Sequence, residues 1–132
     1  MTYMLDTNIC IFMMKQTPGV VKHFQTERNR GIAISSITLA ELEFGVSKSR
    51  AFERNQNALL AFSTLVDILP FDIPACAQYG RIRAALEKTG IPIGALDMLI
   101  AAHAKSLKLT LVTNNIREFS RVEGLSVEDW LV

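Results

Sequence analysis

Four short apolar runs, each separated from the next by helical segments, constrain this chain more than any other feature. Residues 2–5, 32–34, 66–69 and 110–113 read as strands, the last rich in β-branched side chains, and residues 126–127 read as a weaker fifth. The intervening segments read as helices over 8–14, 18–28, 37–46, 52–63, 73–88 and 94–107, with a short helical turn over 117–120. Pro18 suits the start of the second helix, either Ser35 or Ser36 can cap the third, Asp72 caps the fifth and Gly90 ends it. Strands alternating with helices form a parallel sheet covered on both faces, so the expected class is α/β. In such folds ligands bind at the carboxyl ends of the strands.

With 132 residues, 49% of them hydrophobic and 20% charged, the chain has the makings of a core and is expected to form one domain over residues 1–132. Fourteen Lys and Arg against thirteen Asp and Glu give a net charge of +1, which argues against a broadly basic surface but allows a local basic face. Cys10 and Cys76 lie far apart and outside any metal-ligand spacing, and both are expected to be small buried apolar groups. Residues 1–6 carry no basic stretch or cleavage site. The most apolar segment, residues 93–102, is about half a membrane span and contains Asp97, so a cytoplasmic protein is expected.

The acidic residues carry the chemistry. Asp6 directly follows the first strand, although a cap for the next helix would explain it equally. Glu41 shares a helix face with Ile37 and Phe44, and Glu43 shares one with Leu39 and Val46, so periodicity does not choose between them. Asp97 interrupts an apolar run, where a buried carboxylate is costly without a partner; a first-turn acid favoured by the helix dipole is the structural alternative. Asn115 and Glu118 follow the strand at 110–113, with Thr113 and Asn114 as turn formers. Only a sheet edge gathers residues so far apart, and gathered carboxylates repel unless a cation sits among them. Oxygen ligands of this kind suit Mg²⁺ or Mn²⁺.

The segments Met4-Leu5-Asp6-Thr7-Asn8, Ser35-Ser36-Ile37-Thr38-Leu39-Ala40-Glu41-Leu42, Ile93-Gly94-Ala95-Leu96-Asp97 and Val112-Thr113-Asn114-Asn115-Ile116-Arg117-Glu118-Phe119 closely resemble the PIN-domain family. With the closing Val127-Glu128-Asp129-Trp130, the match is similar to its VapC branch, the toxins of bacterial type II toxin–antitoxin pairs. The resemblance implies a three-layer α/β/α sandwich with a central parallel sheet and a Mg²⁺- or Mn²⁺-dependent endoribonuclease site. Asp6, Glu41 and Asp97 match the three core acidic positions. Many PIN domains have aspartate where this chain has Asn115; Glu118 takes the fourth role, with Asn115 a neutral ligand or substrate contact. Thr7 and Ser36 match polar positions near the site, Thr113 is a further supporting candidate, and Arg117 is the cation best placed for substrate. The implied chemistry is in-line attack by an activated water, leaving 5′-phosphate and 3′-hydroxyl ends. The implied substrate is transfer RNA, with the anticodon stem-loop of initiator tRNA the foremost candidate.

The implied partners are a VapB-type antitoxin, seated against the helices over 37–46 and 52–62, and a second copy of the chain in a homodimer within a larger toxin–antitoxin complex. Operator DNA is reached only through the antitoxin. His23 and His103 sit in helical patterns and are expected to be structural. Further candidate cations are Arg81, Arg83 and Lys88 on one helix, Lys105 and Lys108 on another, and Arg121. An aspartyl-phosphate phosphatase needs a second aspartate where Asn8 stands. A non-enzymatic phosphoacceptor wants a lysine after the late strand, where Asn114 and Asn115 stand instead. Setting aside the four candidate acids leaves 14 basic against 9 acidic side chains, so the near-neutral total conceals a moderately basic scaffold.

Overall fold

The computed structural model describes all residues, Met1–Val132. Five parallel strands, β1 (Tyr3–Leu5), β2 (Ile32–Ser35), β3 (Asp67–Leu69), β4 (Thr110–Val112) and β5 (Val127–Glu128), lie in the order β3-β2-β1-β4-β5. The chain starts in the centre, moves outward through β2 and β3, then crosses to the other side for β4 and β5. Its topological switch point therefore lies between β1 and β4, paired in the register Tyr3↔Thr110 and Leu5↔Val112. The helices are α1 (Thr7–Met14), α2 (Pro18–Glu27), α3 (Ser36–Ser47), α4 (Phe52–Ser63), α5 (Ile73–Thr89), α6 (Ala95–Ser106) and α7 (Ile116–Phe119), with a 3-10 turn at Arg28–Arg30.

Side chains alternate across a strand, and here the alternation separates two cores. Tyr3, Leu5, Ile32, Ile34 and Val112 face one way and pack with residues of α1 to α4. Met4 and Leu111 face the other way, against α5, α6 and Phe119. The result is a three-layer α/β/α sandwich. Asp72 caps α5 by accepting from Ala75 N, and Gly90 ends that helix at φ 72°, a left-handed conformation that glycine adopts without strain.

Three local expectations are corrected. β3 is an edge strand with Asp67 and Ile68 exposed, since no further strand flanks it. The fifth strand is Val127–Glu128, one residue later than the pattern suggests. Cys10 is buried as expected, whereas Cys76 lies exposed on α5.

The chain's last residues close the first core. Trp130 is fully buried, meets the Tyr3 ring edge-on at 5.2 Å and stacks on His23 at 5.7 Å, with its indole N–H donating to Glu128. His23 in turn hydrogen-bonds the Val132 carbonyl, which bears out its structural role. Trp130→Ala is expected to cost about 3–5 kcal/mol of stability, read as a lowered urea midpoint; an unchanged midpoint would show that the tail does not brace the core.

Candidate active site

The carboxyl edge of the sheet gathers the acids from four elements. Asp6 follows β1 and is 4% exposed; its Oδ1 accepts from Ile9 N at 2.9 Å, so it does cap α1. The cap is compatible with a place in a site, because the first helix starts at the carboxyl end of β1. Burial raises the Asp6 carboxyl above its ordinary range, and the charge on Glu41 adds to the rise. The Thr113 hydroxyl and the N–H groups of Ile9 and Asn8 pull it back down.

Glu41 lies on α3 beside the buried stripe Thr38, Leu42 and Val46, while Phe44, its supposed inward neighbour, is 65% exposed. Its direction is set from α1 instead: the Thr7 hydroxyl donates to Glu41 Oε1 at 2.6 Å. Glu43 points to solvent, so of the two acids only Glu41 is held against α1. Asp97 sits in the first turn of α6 and is partly buried. Its carboxyl is pushed up to about 6, first by burial and then by the charges of Asp6, Glu118 and Glu41. Each of the other three acids thus acts on Asp97 through its charge.

Glu118, on α7, accepts from the Asn115 side-chain amide at 2.9 Å, while the Asn115 backbone N–H donates to Thr113 Oγ1 at 2.9 Å. Asn115 is therefore a bracket: anchored on Thr113, it aims Glu118. Arg117 is exposed and makes no hydrogen bond or ion pair. Ser36 departs from expectation. Its hydroxyl accepts from Phe71 N at 3.0 Å, tying down the loop between β3 and α5, and does not orient the acids.

The residue before it, overlooked in the sequence except as a cap, does more. Buried Ser35 caps α3 by accepting from Ile37 N and lies 2.8 Å from His103 Nδ1. The Ser35 hydroxyl and Nδ1 are hydrogen-bonded, with the donor set by the ring tautomer. Burial pushes the His103 pKa down, in keeping with a neutral ring. The contact joins α3, which carries Glu41, to α6, which carries Asp97. Its sequence signal is symmetric: Ser35 precedes Glu41 by six residues and His103 follows Asp97 by six.

Neither of the chain's two ion pairs, Arg30–Glu27 and Arg83–Glu87, involves the four acids. Oxygen donors without an internal counter-ion, one with a strongly raised carboxyl, fit a hard divalent cation. No three acids form a closed cage by themselves. A hard cation held by two of them would need water or phosphate oxygens to complete its coordination.

A groove of about 270 Å³ opens beside the acids between α1, α3 and α4, lined by Ile11, Met14, Leu42, Val46 and Ala58 with Glu41 on its wall. Gly45 also lines it, and a Cβ built there meets nothing within 4 Å.

Comparison with known proteins places this arrangement among relatives. The PIN domain family model matches residues 3–125. A Shigella flexneri protein named tRNA(fMet)-specific endonuclease VapC is 46% identical over 128 residues, 97% of each chain. Ribonuclease VapC2 of Rickettsia felis is 46% identical over 132 residues, 98% of each chain. The crystal structure of VapBC2 from Rickettsia felis bound to a DNA fragment from their promoter superposes with a TM-score of 0.95 at 44% identity, covering 98% of this chain and 99% of that one.

The crowding of charge should be measurable as stability. A carboxyl whose folded pKa lies above its unfolded value makes the folded state bind the proton more tightly. Stability is then lost as pH rises from about 4 to about 6 and stays reduced above that. In EDTA, Asp97→Asn is expected to stabilise the protein by about 1–2 kcal/mol at pH 7, the shift discounted for partial exposure, and to have little effect at pH 3.5. Urea titrations at the two pH values decide it; equal effects at both would refute the charge crowding.

Proposed function

The chain belongs to the PIN domain family, and from that premise we propose that it is a metal-dependent endoribonuclease, the toxin of a toxin–antitoxin pair. The observation that supports this reading is the placing of Asp6 and Asp97 at the carboxyl edge of the sheet, near enough to Glu41 and Glu118 for the charges of the other three acids to raise the Asp97 carboxyl, with no ion pair to any of the four. When bound, Mg²⁺ or Mn²⁺ supplies an electrophile that neutralises phosphate charge and acidifies water.

Asp6 and Asp97 are the residues that would hold it, standing at the ends of β1 and the start of α6. Thr7 fixes Glu41 and Asn115 fixes Glu118, so these two carboxylates are oriented to accept a proton from, and align, the water that attacks phosphorus. In-line displacement then leaves a 5′-phosphate and a 3′-hydroxyl, and needs no nucleophilic serine, cysteine or histidine. His103, its Nδ1 engaged by Ser35, takes no part.

The substrate we assign is tRNA, and the relative named for tRNA(fMet) favours the initiator. Nothing at the sheet edge reads base edges, so selection falls to the shape of the anticodon stem-loop. The partner is a VapB-type antitoxin, whose apolar helix we seat in the groove between α1, α3 and α4. Because Glu41 lies on the wall of that groove, an occupant covers an active-site carboxylate. Exposed Phe44, Phe52 and Leu60 on α3 and α4 extend the apolar surface available to it. The toxin acts in the cytoplasm as a homodimer, and meets operator DNA through the antitoxin.

Incubation of the purified protein with tRNA tests the chemistry. Cleavage is expected with Mg²⁺ or Mn²⁺ and not with EDTA, giving 5′-phosphate ends by end-mapping. Asp6→Ala and Asp97→Ala should each lower the rate at least 10³-fold, on the scale of losing one preorganised transition-state contact or more. Glu118→Gln should lower it less. Cleavage at the wild-type rate by both alanine variants, or 2′,3′-cyclic phosphate ends, would refute the mechanism.

Gly45 tests the partner. Its α3 position needs no glycine, so Gly45→Arg should leave the helix intact or gain about 0.5–1 kcal/mol from the lost glycine flexibility. The same side chain projects into the groove, and co-purification with the antitoxin should be lost. A variant that still binds the antitoxin would move the docking site elsewhere.

A further inference from the structure

A second groove, of about 330 Å³, runs along the opposite helical layer between α5 and the segment after α7. Its floor is apolar, from Ile82, Leu86 and Val122, and three cations rim it: Arg81, Lys105 and Arg121. Two of these side chains are held in place without being neutralised. Lys105 Nζ donates to the Glu123 carbonyl at 2.6 Å, and Arg121 donates to the Pro92 carbonyl at 3.3 Å. Neither makes an ion pair, and nor does Arg81. The one acid on the rim, Glu123, contributes its backbone oxygen rather than its carboxylate to that contact.

The local backbone leaves room for Lys105. Gly124 adopts φ +79°, and a Cβ there would press to 3.3 Å from Lys105 Cε and 3.4 Å from its Nζ. Any larger residue would both strain the turn and crowd the ammonium group. Ordering a long cationic side chain costs entropy, which its backbone contact here offsets before any ligand arrives.

Arg121 ties one end of the groove to the segments that carry Glu118 and Asp97. Arg121 N donates to the Glu118 carbonyl at 3.1 Å, and the Arg121 guanidinium reaches Pro92, five residues before Asp97. From Asp97 to Lys105 is eight residues of one helix, about 12 Å along its axis. A chain of phosphates leaving the acid cluster on this side would therefore pass Arg121 and then Lys105 and Arg81. Arg83, two residues beyond Arg81, is instead paired with Glu87 and does not line the groove.

We propose that this groove is a binding track for the RNA sugar–phosphate backbone flanking the scissile bond, with Arg81, Lys105 and Arg121 as its phosphate contacts. It rests on the ribonuclease reading and adds to it a residue-level path for the substrate. Phosphate contacts position the strand and carry no sequence information, so the track supplies affinity and register.

Anisotropy of a fluorescently labelled tRNA anticodon stem-loop, measured in EDTA over a salt series, tests the track apart from cleavage. Arg81→Glu with Lys105→Gln is expected to weaken binding at least tenfold and to flatten the dependence of log K on log salt by about 1–2. Arg83→Gln should bind as the wild type does. Arg81→Glu alone, at an exposed position with no hydrogen bond, should lose several-fold and carries the test if the double variant fails to fold. Wild-type binding by the charge variants, or an equal loss in Arg83→Gln, overturns the track. So does a change in sedimentation with unchanged RNA binding, which would place a second copy of the chain in the groove. If the wild type binds through these residues but never cuts RNA with Mg²⁺, the track stands and the nuclease reading falls. Normal cleavage with unaffected variants gives the reverse.

Discussion

Asp6 holds a carboxylate in a place where water scarcely reaches, at the end of the strand about which the whole sheet is ordered. Such a group needs stabilisation, and the fold supplies dipoles rather than a counter-charge: the first N–H groups of α1 and the Thr113 hydroxyl. The same choice recurs around it. Thr7 steadies Glu41 and Asn115 steadies Glu118, each a neutral donor. Neutral donors fix direction while leaving negative potential in place, so the edge is oriented and still uncompensated. A lysine or arginine among these acids would have stabilised the apoprotein and filled the space a metal ion requires.

The parallel topology makes this concentration of charge unavoidable and useful. β1, β2 and β4 all point their carboxyl ends the same way, so whatever follows each strand meets at one edge. The helices that begin there are locked together below the edge by the buried Ser35–His103 contact, which the Phe71 ring covers at 5.4 Å. Rigid elements close to the acids leave their separations to be set by packing and not by the mobility of loops.

The sequence reveals the strands, the helix limits and the identity of the acids more readily than their geometry. α5 begins after Asp72 and ends at Gly90, as its pattern indicates, because capping and breaking are local events. Glu41 is different: its orientation comes from Thr7, thirty-four residues away in the chain, and helical periodicity had paired it with an exposed Phe44. Ser36 carries a hydroxyl of the right kind in the right neighbourhood, but a backbone N–H on another loop claims it. Arg81 and Arg83 look equivalent in the sequence, yet only one faces the second groove, whose far wall is built by residues forty positions later. Local chemistry is legible; the partner that uses it is decided by long-range packing.

The central position of β1 has a consequence for how this molecule is made. Its first three strand residues, Tyr3, Met4 and Leu5, leave the ribosome early, but the neighbour on one side is residues 110–112 and the indole that covers Tyr3 is at position 130. Folding cannot complete around that strand until nearly the whole chain is available, an entropic delay built into contacts of such long sequence separation. Four acids spread from position 6 to position 118 assemble only then. The acidic edge is thereby kept unformed for as long as β4 and α7 are still to be added.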